Sequence, residues 1–253
     1  MGKKQGTPFV ISALCFVLVC LLLTSLPTDA SEGKTDNSPD WFYSKAVAEA
    51  PYNRPIVVRD TDSTLGSYSL QTKEIGLKDL ARAHGHLCDG LVIAFVEIRA
   101  ALAKLFPDGV ADRTDLRAVS KNGPCWIDAA ALMTGARINF KTLRVDAIGD
   151  GFIVQRISTG AAYDAHLKPG VFPDNQAALE SKIRKLRSEG KPVAAKYIDA
   201  VEDMAQALNL KLLSTPPDQL IDIKALEDYR FIPNETVDVF GARGDIINKD
   251  MPR

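Results

Sequence analysis

One long amphipathic helix dominates the sequence pattern of this chain. Its apolar residues step by four, three, four and three positions, at Leu91, Phe95, Ile98, Leu102 and Leu105. This spacing places all five side chains on one face of an α-helix, and that face must be buried against other elements. The sequence Phe106-Pro107-Asp108-Gly109 ends the helix, because proline and glycine are strong stop signals. The fold must therefore cover a helix of about four turns along its apolar side.

The remaining pattern combines further helices with strands and a hairpin. Helices are expected at Leu77–His84, at Cys125–Thr134, from Pro173 to Gly190 and from Pro192 onward. Strands are expected at Ile56–Val58, Leu116–Ser120, Phe152–Ile157, Ala161–Leu167 and Ile221–Leu226, with a hairpin between the third and fourth. The elements do not alternate strictly as strand–helix–strand units. The sequence therefore predicts an α+β fold: a single core domain with a mixed or antiparallel sheet packed by several helices.

The burial of the later helices can also be predicted from spacing. In the helix that opens at Pro173, the expected inward residues are Leu179, Ile183 and Leu186. In the helix that opens at Pro192, the first expected inward residue is Val193. Proline favours the first turn of a helix, which is why both starts are placed there.

The first 30 residues are typical of a secretory signal peptide. Lys3 and Lys4 precede an apolar run over residues 9–23, and Thr28 and Ala30 occupy positions −3 and −1 of a candidate cleavage site. The run is shorter than the ~20 residues that a membrane-spanning helix needs, which favours cleavage over an uncleaved anchor. We therefore expect a protein exported to the periplasm or the cell exterior, with no stable membrane span after cleavage.

The rest of the chain is expected to form one domain. Residues 31–50 are interpreted as a polar leader, and residues 51–253 as a core domain with a C-terminal extension. Lys and Arg total 31 against 32 Asp and Glu, so the net charge is only −1. A dedicated nucleic-acid binder would carry a basic excess, so no nucleic-acid partner is expected.

Three side chains that bind transition metals fall within five residues. The segment is His84-Gly85-His86-Leu87-Cys88-Asp89-Gly90, between two predicted helices. Imidazole and thiolate ligands together suit zinc or another divalent transition metal. The two glycines permit the irregular backbone that would bring the three side chains together. The alternative is a turn between helices whose polar side chains are satisfied by hydrogen bonds.

A second cysteine is expected to join this segment. Cys125 opens a predicted helix, and Asp128 lies three residues further on about the same face. Cys125 could be a metal ligand, a partner of Cys88 in a disulfide, or a buried inert thiol. Two thiolates at helix N-termini would repel unless a cation or a covalent bond joined them, and the neighbouring histidines favour the cation. The predicted metal ligands are therefore His84, His86, Cys88 and Cys125.

Two carboxylates are additional candidates for the same site. Asp89 follows Cys88 directly, where it could either add a ligand or cap the following helix. Asp128 would share a helix N-terminus with Cys125. Both are predicted as further site residues beside the four metal ligands.

These motifs resemble those of the FmdE family, whose name comes from formylmethanofuran dehydrogenase. The similar segments are His84–Gly90 with the helix that follows it, Cys125–Ala129, Thr134-Gly135, Leu167–Gly170 and Pro217–Leu220. The resemblance extends over about Leu77 to Leu226. It implies an FmdE-type α+β core domain, a homodimer and a metal-binding groove.

The chain departs from the family pattern at three places. Asp89 stands where proline is usual, and Ala136 stands where some members have a cysteine. No cysteine follows Cys125 in this sequence, so the C-terminal zinc finger of some members is not expected here. The expected protein is thus an exported stand-alone member of the family.

The sequence supports three functions. The first is an exported metal-binding protein that carries, senses or buffers a metal. The second is an enzyme acting on a small molecule, with either a metal that activates water or a Cys125 thiolate activated by a histidine base. The third is a binding module with a Cys88–Cys125 disulfide and a groove for a small ligand. Metal content separates the first two from the third.

Overall fold

The computed structural model describes residue 2, residues 44–63 and residues 68–234. Apart from Gly2, the predicted signal peptide lies outside the described residues. The same holds for residues 31–43 of the predicted leader and for residues 235–253 of the predicted extension. No helix within the described ranges is long and apolar enough to cross a membrane.

Seven α-helices occur in the described part of the chain. They are α1 Lys45–Ala48, α2 Leu77–His84, α3 Asp89–Leu105, α4 Pro124–Thr134, α5 Asp174–Ser188, α6 Ala195–Ser214 and α7 Pro217–Leu220. Helix α3 is the central one, and 13 of its 17 residues are buried. Since α4, α6 and strands of the larger sheet all pack against it, α3 is covered nearly all round rather than on one face alone.

Eight strands form two mixed sheets within the same residues. Their bounds are β1 Ile56–Arg59, β2 Lys73–Ile75, β3 Val110–Asp112, β4 Leu116–Ser120, β5 Leu143–Val145, β6 Phe152–Arg156, β7 Ala162–Leu167 and β8 Ile221–Leu226. The smaller sheet has the order β2-β1-β3 and the larger one β5-β4-β6-β7-β8. The pairs β1–β3 and β4–β5 are parallel and the others are antiparallel. The predicted α+β class with a mixed sheet is therefore confirmed.

The predicted hairpin lies at the middle of the larger sheet. Strands β6 and β7 pair antiparallel, with Phe152 opposite Ala165. Strand β8 then adds to β7 and forms one edge of the sheet. The inner residues Phe152, Val154 and Ala165 are fully buried in the core that contains α3. The hairpin and the last strand are both predicted correctly by the sequence.

Of two expectations about the later helices, one holds in part and one is wrong. In α5, Ile183 is buried as expected, but Leu179 and Leu186 are only partly buried because this helix lies at the surface. Helix α6 begins at Ala195 rather than Pro192, since Ala194 still has an extended backbone at φ −69° and ψ 136°. Val193 is buried, but in the connection between the two helices.

Three helix ends meet where the sequence placed its motifs. Helix α2 ends at His84, α3 follows its N-cap residue Cys88, and α4 begins at Pro124 directly before Cys125. Helix α4 packs against both α2 and α3. The packing of these three helices therefore brings residues about 40 positions apart into one place.

Candidate metal centre

A left-handed turn separates the first histidine from the rest of the segment. His84 is the last residue of α2, and Gly85 follows with φ at 101°. Residues with a Cβ atom rarely adopt this backbone conformation, so glycine suits the position. The chain then reverses through His86 and Leu87 to Cys88, which has an extended backbone and caps α3. His84 and Cys88 thus belong to two different helices rather than to one helix face.

The second cysteine reaches the segment from α4. Strand β4 ends at Ser120, and α4 starts with Gly123 as N-cap and Pro124 as its first residue. This places the Cys125 side chain in the first helical turn, where it is buried. The thiol points to the Cys88 side of the interface between α3 and α4, because the two Sγ atoms lie 3.3 Å apart.

The four predicted metal ligands lie together. Potential ligand atoms of His84, His86 and Cys88 all lie within 4.8 Å of one another. The Cys125 Sγ atom is 3.3 Å from the Cys88 Sγ atom and 3.6 Å from the His84 Nε2 atom. The predicted proximity of Cys125 to the segment is confirmed, whereas the binding of a metal by these four residues stays a prediction.

The spacing of these atoms is close to that around a zinc-sized ion. Zinc binds sulfur at about 2.3 Å and nitrogen at about 2.0–2.1 Å in a tetrahedron, so a sulfur and a nitrogen should lie about 3.6 Å apart and two sulfurs about 3.8 Å apart. The distance of 3.6 Å from the Cys125 sulfur to the His84 Nε2 atom matches this spacing, whereas the 3.3 Å between the two sulfurs is shorter than it. A disulfide needs sulfur atoms about 2.05 Å apart, and Cys88 and Cys125 are not covalently joined. The donor set therefore fits a metal.

Asp128 contacts a histidine rather than the sulfurs. Its Oδ2 atom lies 2.8 Å from the Nδ1 atom of His84. A hydrogen bond at Nδ1 fixes the ring so that Nε2 faces Cys125, which leaves Nε2 to bind a metal. Asp128 is thus suited to orient a ligand from behind, a role that residues next to metal-binding histidines often fill.

The electrostatics of the group favour the charged forms of its donors. The Cys125 thiol is the main cause that lowers the pKa of Cys88 well below its usual range, and His84 and His86 add to the effect against the cost of burial. The hydrogen bond to Cys88 is in turn the main cause that raises the pKa of His84 to about 9. The site thus stabilises a thiolate beside a proton on imidazole, and a divalent cation can replace that proton.

Asp89 faces away from this group. It does not belong to the convergent ligand atoms, and its two oxygens accept hydrogen bonds from the Gly90 amide at 2.8 Å and the Gln176 side chain at 2.5 Å. Burial is the main cause that raises its pKa to about 6, with Glu180 and Cys88 adding to the shift. Asp89 instead lines a cavity next to the group.

This cavity has a volume of about 530 Å³, and Gly90 is part of its wall. Gly90 lies between the cavity and Cys125, because a Cβ atom on Gly90 would lie 3.1 Å from the Cys125 sulfur and 3.1 Å from the Trp126 ring. Trp126 itself forms part of the cavity wall, and Lys121 lies with its Nζ atom 3.8 Å from the centre of that ring. The cavity therefore lies directly beside the metal-ligand group, which consists of His84, His86, Cys88 and Cys125.

Sequence reasoning missed one buried acid on the cavity wall. Glu97 is only 1% exposed in the middle of α3, and its Oε1 atom accepts a hydrogen bond from the Leu167 amide at 2.9 Å. Burial is the main cause that raises its pKa to about 8. A signal was present in the sequence, because Glu97 stands between Val96 and Ile98 in an apolar helix where a charge is rare.

Comparison with known proteins agrees with the motifs. The family model described as "FmdE, Molybdenum formylmethanofuran dehydrogenase operon" matches residues 83–222. The match begins directly before His84, includes Cys125 and Asp128, and ends in β8. No curated protein matches the chain. The fold and the donor group define an α+β protein with a candidate metal site, and the chain belongs to the FmdE family.

Proposed function

We propose that this chain is an exported metal-binding member of the FmdE family. It binds one zinc or similar divalent transition metal through His84, His86, Cys88 and Cys125. The observation that carries the proposal is the convergence of two sulfurs and two imidazoles at three helix ends. Asp128 orients His84 from outside the ligand set, and Asp89 adjoins the site on its cavity side.

The charges of this ligand set support a divalent cation. Two thiolates and two neutral imidazoles bring two negative charges, which one M²⁺ ion neutralises in a largely buried place. Two sulfurs and two nitrogens form a closed tetrahedral shell, which is typical of zinc held without an open position. A closed shell favours carrying, sensing or buffering the metal over hydrolysis.

Elemental analysis tests the proposal. The protein is purified without a histidine tag and without added metal, and we expect about one zinc-like ion per chain. Extraction with a chelator followed by one equivalent of zinc should restore that content. Metal-free protein that cannot be reconstituted, or a stable Cys88–Cys125 disulfide in the native form, would contradict it.

The adjoining cavity favours an enzyme as the second candidate. Its wall reaches Gly90 and Trp126 beside the Cys125 sulfur. If only His84, His86 and Cys88 bound the metal, the fourth position would be open to a water molecule that the metal activates. X-ray absorption separates the two: two sulfurs and two nitrogens support the binding protein, whereas one sulfur, two nitrogens and an oxygen support the enzyme.

Export and dimerisation belong to the same proposal. Export is supported by the signal-like residues 1–30, and the homodimer by the family resemblance. Cell fractionation with sequencing of the mature N-terminus should give a chain that starts at Ser31. Light scattering should give twice the mass of one chain, and a monomer at micromolar concentration would contradict the dimer.

A further inference from the structure

The cavity beside the metal-ligand group has a polar wall that the metal does not use. Helix α3 presents Asp89, Ile93 and Glu97 to it at intervals of four residues, so one helix face forms the floor. Trp126 and Phe172 supply aromatic walls. The volume of about 530 Å³ is in the range of sites for small organic molecules.

One oxygen of Glu97 is unpaired within the described part of the chain. The Oε1 atom accepts the Leu167 amide, but the Oε2 atom has no hydrogen-bond partner among the described residues. Burying an unpaired polar atom costs free energy, and native proteins rarely leave such an atom without a reason. Glu97 lines the cavity although this oxygen is itself buried, so a molecule inside the cavity can supply the missing partner once the carboxyl group turns toward it.

The bases around the cavity already have acidic partners. Lys121 lies 2.6 Å from Asp150, and Arg184 lies 3.1 Å from Glu180. Lys168 lies 3.9 Å from Asp222. None of the described bases forms an ion pair with Asp89 or Glu97, so a cation inside the cavity can pair with either acid.

We propose that this cavity binds a small organic amine as its ammonium ion, with the Glu97 Oε2 atom accepting an ammonium hydrogen. The Phe172 ring suits the same ligand, since aromatic faces attract cations, whereas one face of the Trp126 ring already holds the Lys121 ammonium group. Lys121, Asp150 and Asp164 are the charged groups that influence the Glu97 carboxyl from the neighbouring segments. On binding, Glu97 releases its proton to solvent and the ammonium ion replaces it.

The probe is 2-phenylethylamine, with 2-phenylethanol and 3-phenylpropionate as neutral and anionic controls of similar size. Trp126 reports binding through its fluorescence in a Trp41→Phe background, because the chain has only two tryptophans. We expect the amine to quench the Trp126 fluorescence in a saturable way, with half-saturation at about 10 mM. This is the dissociation constant expected for a ligand of nine heavy atoms that contributes about 0.3 kcal/mol per atom. Neither control should saturate in that range at constant ionic strength.

Two variants at the cavity wall locate the amine. Glu97→Gln keeps the size of the side chain and the acceptor for the Leu167 amide. It should lower the affinity for the amine at least tenfold, since a hydrogen bond to a charged group is lost. Glu180→Gln removes a carboxylate on the same wall and should alter affinity less than about threefold, because that carboxylate is already paired with Arg184 at 3.1 Å. If Glu97→Gln does not fold, Ala177→Leu, which narrows the cavity from α5, should abolish the quenching.

Calorimetry in buffers of different ionisation enthalpy gives an independent readout. At pH 7 the wild-type protein should release about one proton per bound amine, whereas Glu97→Gln should release none. Equal affinity in Glu97→Gln, tighter binding of 3-phenylpropionate, or no saturation by the amine up to about 50 mM would each overturn the proposal. Metal content is measured in every sample, so failure of the metal site is seen separately.

Discussion

Helix α3 contributes to two polar sites, and the hydrogen bonding of their buried groups differs. At its N-terminal end, Cys88 meets the donors of α2 and α4, and His84 has Asp128 behind it. Two turns further along, Glu97 enters the cavity wall with one oxygen unpaired among the described residues. At the first site, several buried polar groups lie around a common centre. At the second site, the hydrogen-bond partner of the buried Glu97 oxygen has to come from outside the packed core.

The largest effect is expected when a cysteine of the first site is replaced. Cys88→Ser and Cys125→Ser should each lower zinc affinity by more than about 100-fold, because a hydroxyl replaces a thiolate ligand. Competition with a chromophoric chelator at fixed pH measures both constants. If Cys125→Ser binds zinc like the wild type while Cys88→Ser does not, the Cys125 thiol on α4 is not a ligand. That result would favour the enzyme as the function.

A smaller effect is expected from the residue behind the histidine. Asp128→Ala should weaken zinc binding by about tenfold, the lower part of the usual 10–100-fold range, because the Asp128 side chain is 43% exposed. The same chelator competition measures it. Asp108→Ala, an exposed carboxylate in the turn after α3, is the matched control and should leave the affinity unchanged. Equal losses in both variants would show a general charge effect instead of an oriented ring.

A third prediction concerns how the stability of the protein depends on pH through the buried Glu97. The pKa of Glu97 rises from an ordinary 4.5 to about 8 in the folded protein, so between these values the native state holds a proton that the unfolded state has lost. The free energy of unfolding should therefore fall as pH rises through this window, by about 1.4 kcal/mol per pH unit. Glu97→Gln should remove this contribution, so its stability relative to the wild type should rise with pH.

Urea denaturation at several pH values measures that difference. Glu189→Gln serves as control, since Glu189 lies at the exposed end of α5 beside Lys191. A stability difference between Glu97→Gln and the wild type that stays constant from pH 5 to pH 8 would mean that Glu97 is ionised throughout, as it would be with a permanent cationic partner.

The two sites also differ in how far the sequence could predict them. His84, His86 and Cys88 lie within five residues, so their convergence needed only a turn, and Cys125 could be added because it opens a helix. The cavity could not be predicted, since its wall combines α3 with residues 167–172 and α5, which are distant in the chain. Glu97 itself was visible as a charge in an apolar helix, but its unpaired oxygen depends on the packing of β7.

The fold shows the same division between local and distant information. Strong periodicity predicts α3, the hairpin β6–β7 and strand β8 correctly. Strands β2, β3 and β5 have only three residues each, too few for an alternating pattern, and pairing with neighbouring strands defines them. The nearly complete burial of α3 is also beyond prediction from spacing, because contacts from distant elements cover its polar-looking side.

The placement of the metal donors along the chain has a consequence for how this family can diversify. All four predicted ligands and Asp128 come from residues 84–128, whereas one side of the cavity comes from residues 167–184. Mutations in the later stretch can reshape the cavity without touching the metal donors. If the four residues bind a metal as proposed, relatives can keep that site while the molecule in the cavity changes. A chimera that receives residues 168–188 from another member should keep its metal content and change its ligand preference.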